Sequence, residues 1–99
     1  MLYARNVHFT VKNGKVDEFK KLLNSEVIPL LKKQKGFRDE VAMFRDHSGL
    51  AVSLWTDRTS ADAYQSATYP EVLKKLTPIL ETTPKVETYE VPVTTMALA

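Results

Sequence analysis

Polar and apolar side chains alternate along residues 2–12, LYARNVHFTVK, and this alternation predicts a β-strand. The stretch is rich in aromatic and β-branched residues and contains neither glycine nor proline. Successive side chains of a strand point to opposite faces, so the odd positions form the more apolar face of this strand, with Arg5 as its exception. The even positions carry Asn6, His8 and Thr10.

The apolar spacing becomes helical after the turn KNGK. Apolar residues recur every three or four positions, at Val16, Phe19, Leu22, Leu23, Val27, Leu30 and Leu31. Asp17 and Glu18 in the first turn suit the positive end of the helix dipole. Pro29 interrupts the pattern, and a proline inside a helix costs about 3 kcal/mol. We therefore expect a kink or break near residues 26–28 and the end of the helix at Gly36.

Two extended segments follow, joined by a short loop. FRDEVAMFRD predicts a second strand, HSG a tight turn and LAVSLWT a third strand, which together favour an antiparallel hairpin. In the third strand, one face carries Leu50, Val52 and Leu54, and the other carries Ala51, Ser53 and Trp55.

The next apolar pattern predicts a second helical region. Thr59 or Ser60 is the expected N-cap, and Thr59 with Asp62 resembles a weak capping box. Pro70 is expected to restart the helix as a first-turn residue, and Pro78 to bend its end. VETYEVPV then predicts a last strand, in which proline fits only near an end or an edge.

The resulting order is strand, helix, strand, strand, helix, strand. It predicts a single α+β domain over residues 1–99 with the ferredoxin-like βαββαβ arrangement: a four-stranded antiparallel sheet with two helices on one face. The tail, residues 93–99, is expected to be loose or to contact a dimer partner.

The sheet face without helices predicts self-association. We expect the more aliphatic side of the third strand to lie under the helices, which would place Trp55 and Ser53 on the open face with Asn6, His8 and Phe44. An open face with aromatic side chains is a poor surface to leave in water, so a homodimer with sheet packed against sheet is expected.

Composition excludes several classes of function. Fourteen Lys and Arg against twelve Asp and Glu give a net charge of +2, too little for the basic surface of a nucleic-acid-binding protein. The absence of cysteine excludes disulfides, thiolate metal sites and cysteine nucleophiles. No apolar run reaches the roughly 20 residues that span a membrane. The start, MLYARNVHF, lacks a signal-peptide profile, so we expect a cytoplasmic protein.

No motif for a cofactor or a metal is present. The sequence has neither a glycine-rich phosphate loop nor a nucleophile elbow. Its two histidines are far apart in sequence and lack a close carboxylate companion, which makes a metal site unexpected.

Several segments together resemble the antibiotic biosynthesis monooxygenase family of the dimeric α+β barrel superfamily. They are IPLLKKQKGF, a hairpin closing on LW, TDRTSADAY, YPEVLKKLTPIL and PKVETYEV. Their order and spacing carry the resemblance, which covers nearly the whole chain. It implies a homodimer whose sheets form a barrel, and a small-molecule pocket between sheet and helices in each subunit.

The resemblance leaves the reaction open, since the family also includes haem-degrading enzymes and members without known activity, and the first interpretation is an enzyme that works without a cofactor. Cofactor-free oxygenases of aromatic polyketides belong to this family, and such a reaction needs a phenolic substrate to lose a proton in a dry pocket that stabilises the anion. The candidate catalytic residues are His8, Asn6, Trp55 and Tyr64, and the candidate substrate-binding residues are Arg5, Tyr69 and Phe44.

Each candidate also has a structural interpretation. Trp55 can simply fill the core, His8 can lie in a dimer interface, and Tyr64 can be a half-buried core residue. Arg5 can form an ion pair with Glu87 or Glu90 instead of recognising an anion.

Two further functions compete with the oxygenase. One is a non-catalytic dimeric protein that binds a small ligand or plays an accessory role; an apolar cavity with one or two converging polar groups would favour the enzyme over it. The other, haem degradation, ranks third, because the haem-ligand position of that branch of the family falls on Lys74, and lysine is a poor haem ligand.

Overall fold

The structure, a computed structural model, describes residues 1–96. Its elements along the chain are β1 (Leu2–Thr10), α1 (Val16–Leu22), a π-helical turn (Leu23–Val27), α2 (Ile28–Lys32), β2 (Phe37–Arg45), β3 (Ser48–Trp55), α3 (Arg58–Ala67), α4 (Tyr69–Leu76), a 3₁₀ turn (Thr77–Ile79) and β4 (Lys85–Val91).

The four strands form one antiparallel sheet in the order β2-β3-β1-β4, and the helices pack on one of its faces. This confirms the predicted ferredoxin-like fold. The buried core lies between the helices and that face of the sheet, and it includes Phe9, Phe19, Leu31, Trp55 and Val72.

The register between β1 and β3 corrects the predicted orientation of β3. Tyr3 lies opposite Trp55 and Arg5 opposite Ser53, so Trp55 and Ser53 face the helices together with the odd positions of β1. Trp55 is fully buried and its indole Nε1 donates a hydrogen bond to Ser53 Oγ (2.9 Å). The prediction was wrong because the aliphatic content of a single strand does not set its orientation; pairing with the apolar face of β1 does.

The open face of the sheet is consequently more aliphatic than expected. Residues Leu50, Val52 and Leu54 lie there, next to Asn6 and His8, whose predicted orientation agrees with the register.

The expected orientation of Phe44 was also wrong. Its ring packs edge-on against Phe9 (5.3 Å between centroids) and Phe19 (5.8 Å), on the helix-covered side of the sheet. Gly49, directly opposite Phe44, makes room for this cluster: a Cβ there would lie 2.1 Å from Met43 O and 2.7 Å from the ring of Phe9. The glycine expected in the hairpin turn therefore belongs to β3, where it permits close packing.

The predicted kink in the first helix takes the form of a π-helical turn. The Ile28 N–H bonds to Leu23 O, five residues back, and Pro29 follows as one of the first residues of α2. Proline cannot donate the next helical hydrogen bond, and the wider turn accommodates it without ending the helix. The helical run thus continues from Val16 to Lys32, before Gly36 (φ +82°) turns the chain into β2.

Local boundaries differ from the predicted ones by one or two residues. The hairpin turn is Asp46–His47, with Asp46 at φ 56°, and not HSG. Asp57 caps α3, since its Oδ1 accepts a hydrogen bond from the Ser60 N–H (2.8 Å); neither Thr59 nor Ser60 is the cap. Asp57, two residues before Thr59, has the extended backbone and the side-chain oxygen that an N-cap requires.

The C-terminal elements follow the prediction more closely. Pro70 lies in the first turn of α4, and Pro92 directly follows β4. The prediction for the tail falls partly on residues 97–99, which lie outside the described part of the chain. None of the helices within residues 1–96 is long and apolar enough to cross a membrane.

We expect Trp55→Ala to destabilise the protein by about 3–5 kcal/mol, because the substitution leaves a cavity where the indole packs between Phe37 and Tyr64. Denaturant unfolding measures this loss. Val93→Ala, at a side chain that is 88% exposed, is the control and should change the free energy of unfolding by less than about 0.5 kcal/mol. Equal effects of the two substitutions would contradict the assigned orientation of β3.

Candidate functional site between the sheet and the helices

Arg5 is the centre of a polar cluster inside the core. It projects from β1 toward the helices and is only 2% exposed. Its guanidinium lies over the rings of Tyr64 (4.9 Å to the centroid) and Tyr69 (4.6 Å). Its Nε donates a hydrogen bond to Gln65 Oε1 (3.2 Å), and Nη2 donates to the same oxygen. The cation is thus held in one orientation by two aromatic faces and a neutral amide.

The junction between α3 and α4 places the two tyrosines around Arg5. Helix α3 ends at Ala67, and the N–H of its C-cap residue Thr68 bonds to Tyr64 O (3.0 Å). Helix α4 begins at Tyr69 with Pro70 in its first turn, and Tyr69 is also buried in the core. A continuous helix would put residues five apart about 140° away from each other around its axis. The helix break therefore lets both rings face one guanidinium.

The pKa values in this cluster reflect burial. Burial lowers the pKa of the Arg5 guanidinium from its ordinary value, and the neighbouring Tyr64, Tyr69 and Glu40 oppose that shift. Burial raises the pKa of Tyr64 to about 12 and also raises that of Tyr69, against the opposing effect of Arg5. Both phenols are consequently neutral hydrogen-bond donors at physiological pH.

Glu40 brings a carboxyl group to the same site from β2. It lies opposite Ser53 in the β2–β3 register, and Ser53 lies opposite Arg5, so the three residues form a row across the sheet. Burial raises the pKa of Glu40 to about 8, with Arg5 opposing the shift. Its Oε1 is buried and has no hydrogen-bond partner within residues 1–96. At neutral pH most of this carboxyl group is therefore protonated.

These groups line a cavity of about 40 Å³. Its wall is mainly apolar, with side chains from the sheet and every major helix, including Val7, Leu23, Leu31 and Val72. One water needs about 10–15 Å³ in this measure, so the cavity is small, and an aromatic ligand would require side chains around it to move. Apolar walls with a few converging polar groups are typical of small-molecule sites.

A solvent-facing groove of about 350 Å³ adjoins the cavity. It runs between β2 and the first helical region and is lined by Lys20, Asn24, Ile28, Ala42 and Phe44. Leu23 and Glu40 line both the groove and the cavity. These two side chains therefore lie where the cavity and the groove meet.

The structure separates the predicted site residues into two groups. Arg5, Tyr64 and Tyr69 meet at the cavity, and Phe44 lines the adjoining groove. Trp55 packs behind Tyr64, with 5.1 Å between ring centroids, and is absent from the cavity wall.

Asn6 and His8 form the second group, on the open face of the sheet. His8 Nε2 lies 3.2 Å from Glu87 Oε1, so this histidine does have a carboxylate companion, contrary to the expectation from sequence spacing. The pairing also excludes the predicted ion pair between Arg5 and Glu87, because Glu87 occupies the other face. No group of three potential metal-ligating residues occurs within residues 1–96.

Sequence reasoning missed Glu40, Ser53 and Gln65 as parts of the site. The alternation of faces along β2 was an available signal, because it places Glu40 on the same face as Ala42 and Phe44. An arginine on an apolar face needs polar partners, and Glu40 is the acidic residue of β2 with the matching phase. No sequence pattern identifies Gln65, because its hydrogen bond with Arg5 depends on how α3 packs on the sheet.

Comparison with known proteins establishes the fold. No protein-family model matches the chain, and no curated protein matches it significantly. Among solved structures, a protein of unknown function from Nitrosomonas europaea aligns with a TM-score of 0.83 and 18% identity, over 97% of this chain and 94% of that one.

Two further structures link this fold to oxygenases. A candidate antibiotic biosynthesis monooxygenase from Bordetella bronchiseptica aligns with a TM-score of 0.79 and 16% identity, over 93% of this chain and 98% of that one. SnoaB from Streptomyces nogalater, a cofactor-independent oxygenase, aligns with a TM-score of 0.78 and 17% identity, over 95% and 96% of the two chains. The chain therefore has the fold of the antibiotic biosynthesis monooxygenases.

Glu40→Gln should stabilise the protein at pH 8.5 by on the order of 1–3 kcal/mol and have little effect at pH 5. In the folded protein Glu40 retains its proton up to about pH 8, whereas its ordinary pKa is 4.5. The wild-type free energy of unfolding consequently falls as the pH rises from about 5 to about 8, and then levels off. Glutamine removes this fall, since it never becomes charged.

Denaturant unfolding at the two pH values measures this difference. Glu71→Gln on the exposed side of α4 is the matched control and should follow the wild-type pH dependence. Parallel pH dependences of wild type and Glu40→Gln would show that the carboxyl group is not buried in the folded protein.

Proposed function

We propose that this protein is a cofactor-independent monooxygenase that acts on a small aromatic metabolite of the quinol type. The observation that carries the proposal is the buried Arg5 guanidinium, which lies between two tyrosine rings at the wall of an apolar cavity. The shared fold with SnoaB, a cofactor-independent oxygenase, supports the same reaction class.

The cluster suits a substrate that develops negative charge. A ring hydroxyl that loses its proton becomes a phenolate, and the nearby Arg5 charge stabilises that anion strongly in a water-poor site. The neutral Tyr64 and Tyr69 hydroxyls can donate hydrogen bonds to the same oxygen or to O₂. In the overall reaction, one atom of O₂ enters the substrate and the other leaves as water with two hydrogens of the substrate.

Binding without turnover is the second candidate function. The small volume of the cavity favours it, because a ring-sized molecule enters only if the wall opens. Haem degradation ranks third. Lys74, at the position expected for the haem ligand, lies exposed on α4 and does not line the cavity.

A second copy of the chain is the partner that we propose for the open face of the sheet. Val41, Met43 and Tyr89 are about half exposed there, at 50%, 48% and 49%. Val41 and Met43 adjoin the partly buried row of Leu50, Val52 and Leu54 on β3, and Tyr89 lies beside Ala4 of β1 on the same face. A contiguous apolar patch of this kind marks an interface.

Oxygen consumption with 1,4-dihydroxynaphthalene tests the enzymatic function. We expect uptake above the autoxidation rate measured without protein, and a loss of about 10²–10³-fold in kcat for Arg5→Gln, which removes the charge that stabilises the anion. Lys74→Gln, which removes an exposed cation, should retain the wild-type rate. Tight binding of the quinol without oxygen uptake would favour the ligand-binding alternative.

Sedimentation velocity at micromolar concentration tests the dimer. The wild type should sediment as a dimer, and Met43→Lys should shift it toward monomer by placing a charge within the proposed interface. Asn13→Lys in the β1–α1 turn adds the same charge elsewhere and should leave the dimer intact. A monomeric wild type would refute the proposed partner.

A further inference from the structure

Glu40 is in contact with both compartments of the site. Its side chain lines the cavity that contains Arg5, and it also lines the more open groove beside Lys20. A group that moves a proton in a catalytic cycle needs both contacts, because it must take the proton from the ligand and later release it to water.

The carboxyl group is close to Arg5 without being neutralised by it. Each group shifts the pKa of the other, but no ion pair within 4.0 Å joins them in residues 1–96. Glu40 Oε1 is also buried without a hydrogen-bond partner in that part of the chain. A ligand hydroxyl that reaches this carboxyl group would give it the partner that it lacks and would lie near the Arg5 cation.

Resting on the proposed function, we propose that Glu40 is the catalytic base, which accepts the ring-hydroxyl proton of a neutral phenol or enol bound beside Arg5. The substrate class is therefore a planar weak acid that enters the cavity uncharged. The resulting anion remains next to the Arg5 guanidinium.

The proton transfer is balanced within the site. The O–H bond of the ligand breaks, its electron pair stays on the ligand oxygen, and the proton forms an O–H bond with the Glu40 carboxylate. One negative charge moves from Glu40 to the ligand, so the total charge of the site is unchanged. The proton then leaves through the groove beside Lys20.

The other groups that face Glu40 cannot take this role. Arg5 on β1 is a cation, and Tyr64 and Tyr69 on α3 and α4 have raised pKa values and hold their protons. Lys20 on α1 lines only the groove. His8, a candidate base from the sequence, lies on the opposite face of the sheet.

Calorimetric binding of 4-nitrophenol at pH 9 tests the proposal without any turnover. At this pH Glu40 of the unliganded protein is mostly ionised, and the ligand in solution is a phenolate. Two adjacent anions repel each other, so a Glu40 that faces the ligand takes up a proton when the phenolate binds. Titrations in two buffers with different ionisation enthalpies should show uptake approaching one proton for the wild type. The phenolate absorption band should persist, because the proton resides on Glu40.

The variants locate that proton. Glu40→Gln should bind 4-nitrophenol with no proton uptake, and Glu71→Gln should behave as the wild type. Uptake that survives in Glu40→Gln, loss of the phenolate band in the wild-type complex, or failure of the wild type to bind would each overturn the role of Glu40.

Oxygen uptake from 1,4-dihydroxynaphthalene separates this role from the enzymatic function itself. The wild-type kcat/KM should rise with pH to a plateau, with a midpoint near pH 8. In Glu40→Gln this rise should be absent, and kcat should be lower by about 10²–10⁴-fold with little change in KM. A Glu40→Gln variant as active as the wild type would overturn the base and leave the oxygenase. An inactive wild type that still shows Glu40-dependent proton uptake would refute the oxygenase and support Glu40 as the proton acceptor for a bound acid.

Discussion

The site depends on the burial of one positive charge. Arg5 lies in the hydrophobic core, where an isolated cation would be strongly disfavoured. The surrounding structure compensates with aromatic faces, an amide oxygen and a nearby carboxyl group, and does so without a direct ion pair in residues 1–96. A directly paired arginine would have little attraction left for a ligand. An arginine held by neutral groups keeps most of its field available.

The helix junction at Thr68 follows from the same constraint. A regular helix could not direct Tyr64 and Tyr69 at a common point, and Pro70 allows the chain to restart with the geometry that does. Trp55 then supports Tyr64 from behind, at 5.1 Å between ring centroids. The aromatic residues of this core thus position a cation, in addition to supplying buried area.

The order of the elements was predictable from the sequence, because hydrophobic periodicity is a local property that each strand and helix carries by itself. The orientation of β3 was not, since both of its faces contain apolar residues and only the pairing of Trp55 with Tyr3 decides between them. The same limit applies to the site. Arg5, Tyr64 and Tyr69 stood out as unusual residues, but Glu40 and Gln65 join them through contacts between elements distant in sequence.

The π-helical turn has a consequence for how the cavity can vary among related chains. Leu23 and Val27, which line the cavity, both belong to this turn. A π-helical turn holds one residue more than an α-helical turn, so loss of a single residue here would restore ordinary α-helical winding, change which side chains of the turn face the cavity and leave the flanking helical segments on their faces. A one-residue gap at this place in a sequence alignment would therefore indicate a different cavity wall on an unchanged sheet. The ligand of one of two proteins that differ by this gap alone would not predict the ligand of the other.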